Sequence, residues 1–206
     1  MSRDLFIPVG APEHFELRDA DVRLWRRAWD AISADRLFDE LVPTIRWEHE
    51  EIVVFGRRHR VPRLVAWHGD RGTAYEYSGT THEPRPWTPV LIVIRQHVEA
   101  LTCHSFNSVL LNRYRDGRDG MGWHADDETE LGNNPAIASV SFGATRRFQL
   151  RHRRDRLQKA TLQLGNGDVL LMSGPTQHHF VHAVPKTTRL VGERINLTFR
   201  LVRPRQ

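Results

Sequence analysis

From Phe106 onward the chain is cut into runs too short and too β-rich to build anything but a sheet protein. "SFNSVLLNRY", "AIASVSFGATRRFQLRH", "DVLLMSG", "FVHAV" and "RINLTFRLV" follow one another, separated by Gly, Asn, Pro and Asp. β-branched and aromatic residues suit a pleated, half-buried surface, and the turn formers end each run. Short strands without intervening helices must bury their apolar faces against one another. That leaves a sandwich, a jelly roll or a barrel.

The first hundred residues mix element types. "VRLWRRAW" (22–29) reads as a strand. "SADRLFDELVPTI" reads as a short helix with Ser33 as N-cap and Leu37, Phe38 and Leu41 at helical spacing. "EIVVFG" and "RLVAWHG" read as strands bracketing a basic turn. "TPVLIVIRQHVEAL" (88–101) reads as a helix with Pro89 in its first turn. No repeat or Gly/Ser linker appears. The division is therefore soft: an α/β N-terminal extension over 1–105, with hairpins and two helices, and a mainly β core over 106–206, together one structural unit.

At 206 residues with a net charge of +5, the chain suits one basic domain, and such a balance favours a polyanionic partner, most simply nucleic acid. A single cysteine, Cys103, permits no internal disulfide and fits a reducing compartment; it is expected to be a small buried residue. "MSRDLFIPVG" lacks the apolar stretch of a signal peptide, and the longest apolar run, "VLIVI", is too short to span a bilayer. The expectation is a cytoplasmic protein with no membrane contact and no obligate protein partner.

"GWHADDE" gathers acids in this basic chain. His124 and Asp126, two apart on an extended segment, point the same way. A surface turn, a metal site and a pocket for a cation all fit it, and with 12 histidines in the chain the pair alone is weak. "RINLTFR" (194–200) narrows the choice. Ile195, Leu197 and Phe199 share one face; Arg194, Asn196, Thr198 and Arg200 share the other. A surface strand would alternate too, but two inward arginines would make a receptor for a dicarboxylate. In "LLNRY", Asn112 and Tyr114 share a face and offer an amide and a phenol.

Taken together, His124-x-Asp126, His182 in "FVHAVP", "NRY", "SVSFG" and "NLTFR" resemble the AlkB family of Fe(II)- and 2-oxoglutarate-dependent dioxygenases. The resemblance runs from about Trp25 to Val202, and "VFGRRHRVPR…GD…YEYSG" most resembles the branch containing AlkB homologue 2. It implies a double-stranded β-helix (jelly roll) fold, with Fe(II), 2-oxoglutarate and O2 as cofactor and co-substrates. It implies His124, Asp126 and His182 as iron ligands, His182 being chosen over His178 and His179 because it stands just before "AVP". Asn112, Tyr114, Arg194 and Arg200, with Asn196 and Thr198, would contact 2-oxoglutarate.

The resemblance further implies DNA repair: oxidative demethylation of 1-methyladenine or 3-methylcytosine in a flipped nucleotide, with release of formaldehyde. Asp127 and Glu128 would face the cationic lesion. Tyr75, Tyr77 and Ser78 of "YEYSG" would meet the base, and Phe55 would wedge into the duplex. Arg57, Arg58, Arg60 and Arg63 would meet phosphates, as would Arg151 in the basic run 146–159. Trp67 and Trp123 read as packing residues. DNA is the expected partner, duplex favoured and single strands possible, so that in a bacterium the protein would associate with the nucleoid. RNA such as tRNA is the first alternative. A nucleic-acid-binding jelly roll with a vestigial metal site is the second, and a zinc hydrolase is disfavoured because it would leave the two arginines without purpose.

Overall fold

A computed structural model describes residues 10–54, 57–73, 75–77, 80–82 and 84–203, with side chains described outside 52–59 and 74–83. The strands are β1 (Glu13–His14), β2 (Asp21–Trp25), β3 (Glu48–Val54), β4 (Arg57–Gly69), β5 (Tyr75–Tyr77), β6 (Thr80–His82), β7 (Ser108–Tyr114), β8 (Met121–His124), β9 (Ile137–Gly143), β10 (Arg146–His152), β11 (Lys159–Leu164), β12 (Asp168–Ser173), β13 (Phe180–Val184) and β14 (Arg194–Arg200). The helices are α1 (Ala31–Thr44), α2 (Pro89–Thr102) and a single turn, α3 (Thr176–His179). No described helix is long and apolar enough to cross a membrane.

An eight-stranded sheet runs β1-β2-β12-β9-β14-β7-β4-β3, a four-stranded sheet runs β11-β10-β13-β8, and β5-β6 form a hairpin. Two facing antiparallel sheets with helices on one outer side are the jelly roll expected. β14 sits between β9 and β7, and all seven of its residues are buried. That burial excludes a surface strand. Its apolar face packs with Leu41 of α1 and Leu91 and Ile94 of α2. Its polar face turns toward the second sheet, whose Phe148, Leu150 and Phe180 form a separate core with Met172 of β12. The site therefore lies between the sheets.

Several local expectations are corrected. The first strand ends at Trp25, because Arg27 takes a positive φ of 47° and the chain turns. The N-cap of α1 is Asp30, whose carboxylate accepts from Ser33 N and from Ser33 Oγ, so the helix starts three residues early. The basic segment after Gly56 is strand rather than turn: Val54 pairs with Arg57. Cys103 is exposed, not buried, since it closes α2 in the left-handed region at φ 57° while its N–H donates to Glu99 O. In "SVSFG", Gly143 has φ +81°, and a Cβ there would meet Glu193 O at 2.5 Å, so the strand end tolerates no side chain.

Candidate active site

The β8–β13 pairing builds the centre of the site. His182 is the cross-strand partner of His124, and the two rings lie 4.2 Å apart at 62°. Asp126 lies just beyond the end of β8, buried, with its N–H donating to Gln177 Oε1 at 3.0 Å. One ligand atom from each of His124, Asp126 and His182 lies within 4.8 Å of the others. Arg200 donates to Asp126 Oδ1, while Asp126 Oδ2 is 3.6 Å from His182 Nε2, beyond hydrogen-bond reach. Burial opposes the Asp126 charge, yet Arg200, His182 and His124 outweigh it and hold the carboxyl below its usual range. Burial pushes His182 down to about 3, with His124 acting the same way and Asp126 against it. His182 is thus a neutral imidazole at neutral pH, the form that binds metal.

Tautomers separate this cluster from a second one, Asp19, His152 and His179, whose atoms also lie within 4.8 Å. His124 Nδ1 is 2.9 Å from Gly122 O. A carbonyl only accepts, so Nδ1 carries the hydrogen and Nε2 keeps its lone pair. His152 is the reverse. Its Nδ1 accepts from Arg154 N at 3.1 Å and Asp155 N at 2.9 Å, so its Nε2 carries the proton and faces Asp19 at 3.5 Å. A neutral His152 has no lone pair left for a metal. His152→Ala is therefore expected to keep one metal ion bound per chain in equilibrium dialysis; loss of an ion would assign the second cluster a metal.

Beside the three donors, the polar face of β14 meets β7. Asn112, Tyr114, Asn196, Thr198 and Arg200 line one cleft with His124, Asp126 and His182. Arg194 is 1% exposed and its guanidinium lies 5.2 Å from the Tyr114 ring centre. Its Nη2 donates to Ser141 Oγ, but Nε and Nη1 are buried without a hydrogen-bond partner among the described residues. Burial lowers its pKa, offset in part by Tyr114. A buried cation with open donors calls for an anion, and a carboxylate matches its fork. Asn196 lines the cleft, and its amide also braces the sheet: its Nδ2 donates to Ser139 Oγ and Val140 O, and its Oδ1 accepts from Thr198. Arg200 likewise is engaged by Asp126.

The outer residues are less uniformly placed. Arg63, expected at a phosphate, is buried and donates to Asn112 Oδ1 at 2.6 Å, because its place on β4 turns it inward. Asp127 forms an exposed ion pair with Arg153 at 2.6 Å. Glu128 is half-buried, with Oε2 lacking a hydrogen-bond partner among the described residues. Strand alternation puts Trp123 on the outer side of β8, 41% exposed rather than packed, with the Arg151 guanidinium 3.9 Å above its ring. Arg60 is exposed beside Glu51. Tyr75 and Tyr77 lie on β5, with their side chains outside the described set; Phe55 and Ser78 lie outside the described residues. Gln177, Ser139 and Ser141 hold the site and were missed, since a lone Gln or Ser carries no spacing signal.

Two imidazoles and one carboxylate are the donor set that suits Fe(II) and leaves positions open. The open donors of Arg194 fit a carboxylate of a small acid. Fold and site define a non-haem Fe(II) oxygenase, and residues 21–200 match the model of the 2OG-Fe(II) oxygenase superfamily, which works with Fe(II), 2-oxoglutarate and dioxygen. Within that superfamily the chain belongs to the AlkB family, near its homologue-2 branch. It is 43% identical over 181 residues to DNA oxidative demethylase ALKBH2 of Bos taurus, covering 83% of this chain and 65% of that protein. It is 43% identical to the Homo sapiens protein of the same name, covering 82% and 69%. It is 41% identical to alpha-ketoglutarate-dependent dioxygenase alkB homolog 3 of Bos taurus, covering 85% and 64%. The chain thus spans about two thirds of these relatives' length. The OsALKBH1 structure shares the fold at 18% identity, with a TM-score of 0.64 over 92% of this chain and 99% of that one.

Proposed function

We propose that this chain is an oxidative demethylase of alkylated nucleic acid, acting on DNA. The observation that carries the reading is the meeting of His124, Asp126 and His182 in a cleft lined also by Asn112, Tyr114 and Arg200, with the buried Arg194 guanidinium against the Tyr114 ring, in a chain 43% identical to proteins named DNA oxidative demethylase. Fe(II) held there, with 2-oxoglutarate and dioxygen, supplies hydroxylation of a C–H bond. The chain's own residues do the rest. His124, Asp126 and His182 would hold the metal. Arg200 fixes one oxygen of Asp126 and so orients the other. Arg194 holds a carboxylate, and Phe148, stacked 5.2 Å from His182, keeps that side of the cleft dry.

A methyl group on a ring nitrogen, once hydroxylated, is a hemiaminal that loses formaldehyde and leaves the free base. We assign 1-methyladenine and 3-methylcytosine as substrates, reached by flipping the nucleotide out of the stack. The cationic lesion suits the carboxylate of Glu128, whose Oε2 is buried without a partner among the described residues. Exposed Arg147, Arg151 and Lys159 on the outer face of the small sheet suit phosphates. The test compares kcat/KM on 1-methyladenine in duplex DNA, single-stranded DNA and RNA of one sequence. Duplex DNA is expected to rank first; RNA ahead of both would overturn the DNA assignment.

A further inference from the structure

Arg63 stands in a run of arginines that reads as a phosphate contact, yet it is 4% exposed. β4 pairs with β7 so that Val65 faces Asn112, and Arg63, two residues before, lies on the same inward face. Its Nε donates to Asn112 Oδ1 at 2.6 Å, and its Nη2 lies 3.9 Å from Glu50 Oε2. A guanidinium has only donors, so the Asn112 atom that meets it must be the carbonyl oxygen. The amide NH2 is then turned away from Arg63. Asn112 also lines the cleft beside Tyr114 and Asn196. A flipped amide would offer the cleft an oxygen, which repels a carboxylate.

We propose that Arg63 is a positioning residue for the co-substrate: it locks the Asn112 amide so that N–H groups, not the carbonyl, face 2-oxoglutarate. This rests on the reading that 2-oxoglutarate binds in this cleft. Arg63 then serves co-substrate affinity and makes no contact with nucleic acid. Its charge is balanced at longer range by Glu50, and its short bond to Asn112 sets the amide.

Calorimetry on Mn(II)-loaded protein measures 2-oxoglutarate affinity without turnover. Arg63→Met, similar in length and without a donor, is expected to weaken 2-oxoglutarate about tenfold. It should raise the KM for 2-oxoglutarate and leave the affinity for a DNA oligonucleotide unchanged. In an Asn112→Ala background the same substitution should add nothing. Equal losses in both backgrounds, or lost DNA binding with 2-oxoglutarate affinity intact, would overturn the proposal. Asn112→Asp keeps an oxygen for Arg63 and presents a second one to the cleft. It covers the case where Arg63→Met does not fold: about tenfold weaker 2-oxoglutarate is expected, and unchanged affinity overturns the proposal. Absence of 2-oxoglutarate binding in the unaltered protein would instead remove the functional reading beneath it.

Discussion

Alanine in place of His182 is expected to abolish metal binding and, with it, all turnover of 2-oxoglutarate. His182 is firmly placed by its neighbours. It is buried, paired across strands with His124 and stacked on Phe148. Its removal leaves one imidazole and one carboxylate, and that carboxylate is already held by Arg200. Loss of an outer partner of a metal ligand weakens binding about 10- to 100-fold, so loss of a ligand should exceed about 100-fold. Titration with Fe(II) under anaerobic conditions reads this directly, and far-ultraviolet circular dichroism checks that the fold survives. Metal affinity close to that of the unaltered protein would remove His182 from the ligand set.

Arg194→Met should separate co-substrate binding from stability. Two open donors facing a carboxylate are worth about 1.5–3 kcal/mol each, so 2-oxoglutarate affinity should fall at least about 100-fold. The protein without co-substrate should be no less stable, because the substitution replaces a buried cation with open donors by an apolar chain of similar length. Thermal melting shows both effects. The unaltered protein with metal should gain Tm as 2-oxoglutarate is added, and the variant should not. An unchanged gain in Tm would place the co-substrate elsewhere.

Much of the fold was legible because strand alternation is local. "RINLTFR" announces two faces, and burial of all seven residues only decides that both are covered. The meeting of His124 and His182 needed a β8–β13 register that no local pattern contains, and only the family resemblance supplied it. What stayed hidden is set by long-range pairing. Arg63 and Asn112 are 49 residues apart, and Arg200 and Asp126 are 74 apart. A basic run looks the same whether its members face water or the interior, so Arg63 read as a phosphate contact. Trp123 read as core because tryptophan usually is, yet it neighbours an inward His124 and must point outward on the same strand. Ser33 looked like an N-cap, but Asp30 captures its amide first.

Oxygenase chemistry on alkylated DNA is tested most directly by one measurement. Purified protein is incubated with Fe(II), 2-oxoglutarate, air and a duplex oligonucleotide carrying one 1-methyladenine, and the oligonucleotide mass and released formaldehyde are followed together. Loss of the methyl group with one formaldehyde per lesion, dependent on both Fe(II) and 2-oxoglutarate, is predicted. An intact lesion with no formaldehyde, in protein that binds both the metal and 2-oxoglutarate, would contradict it.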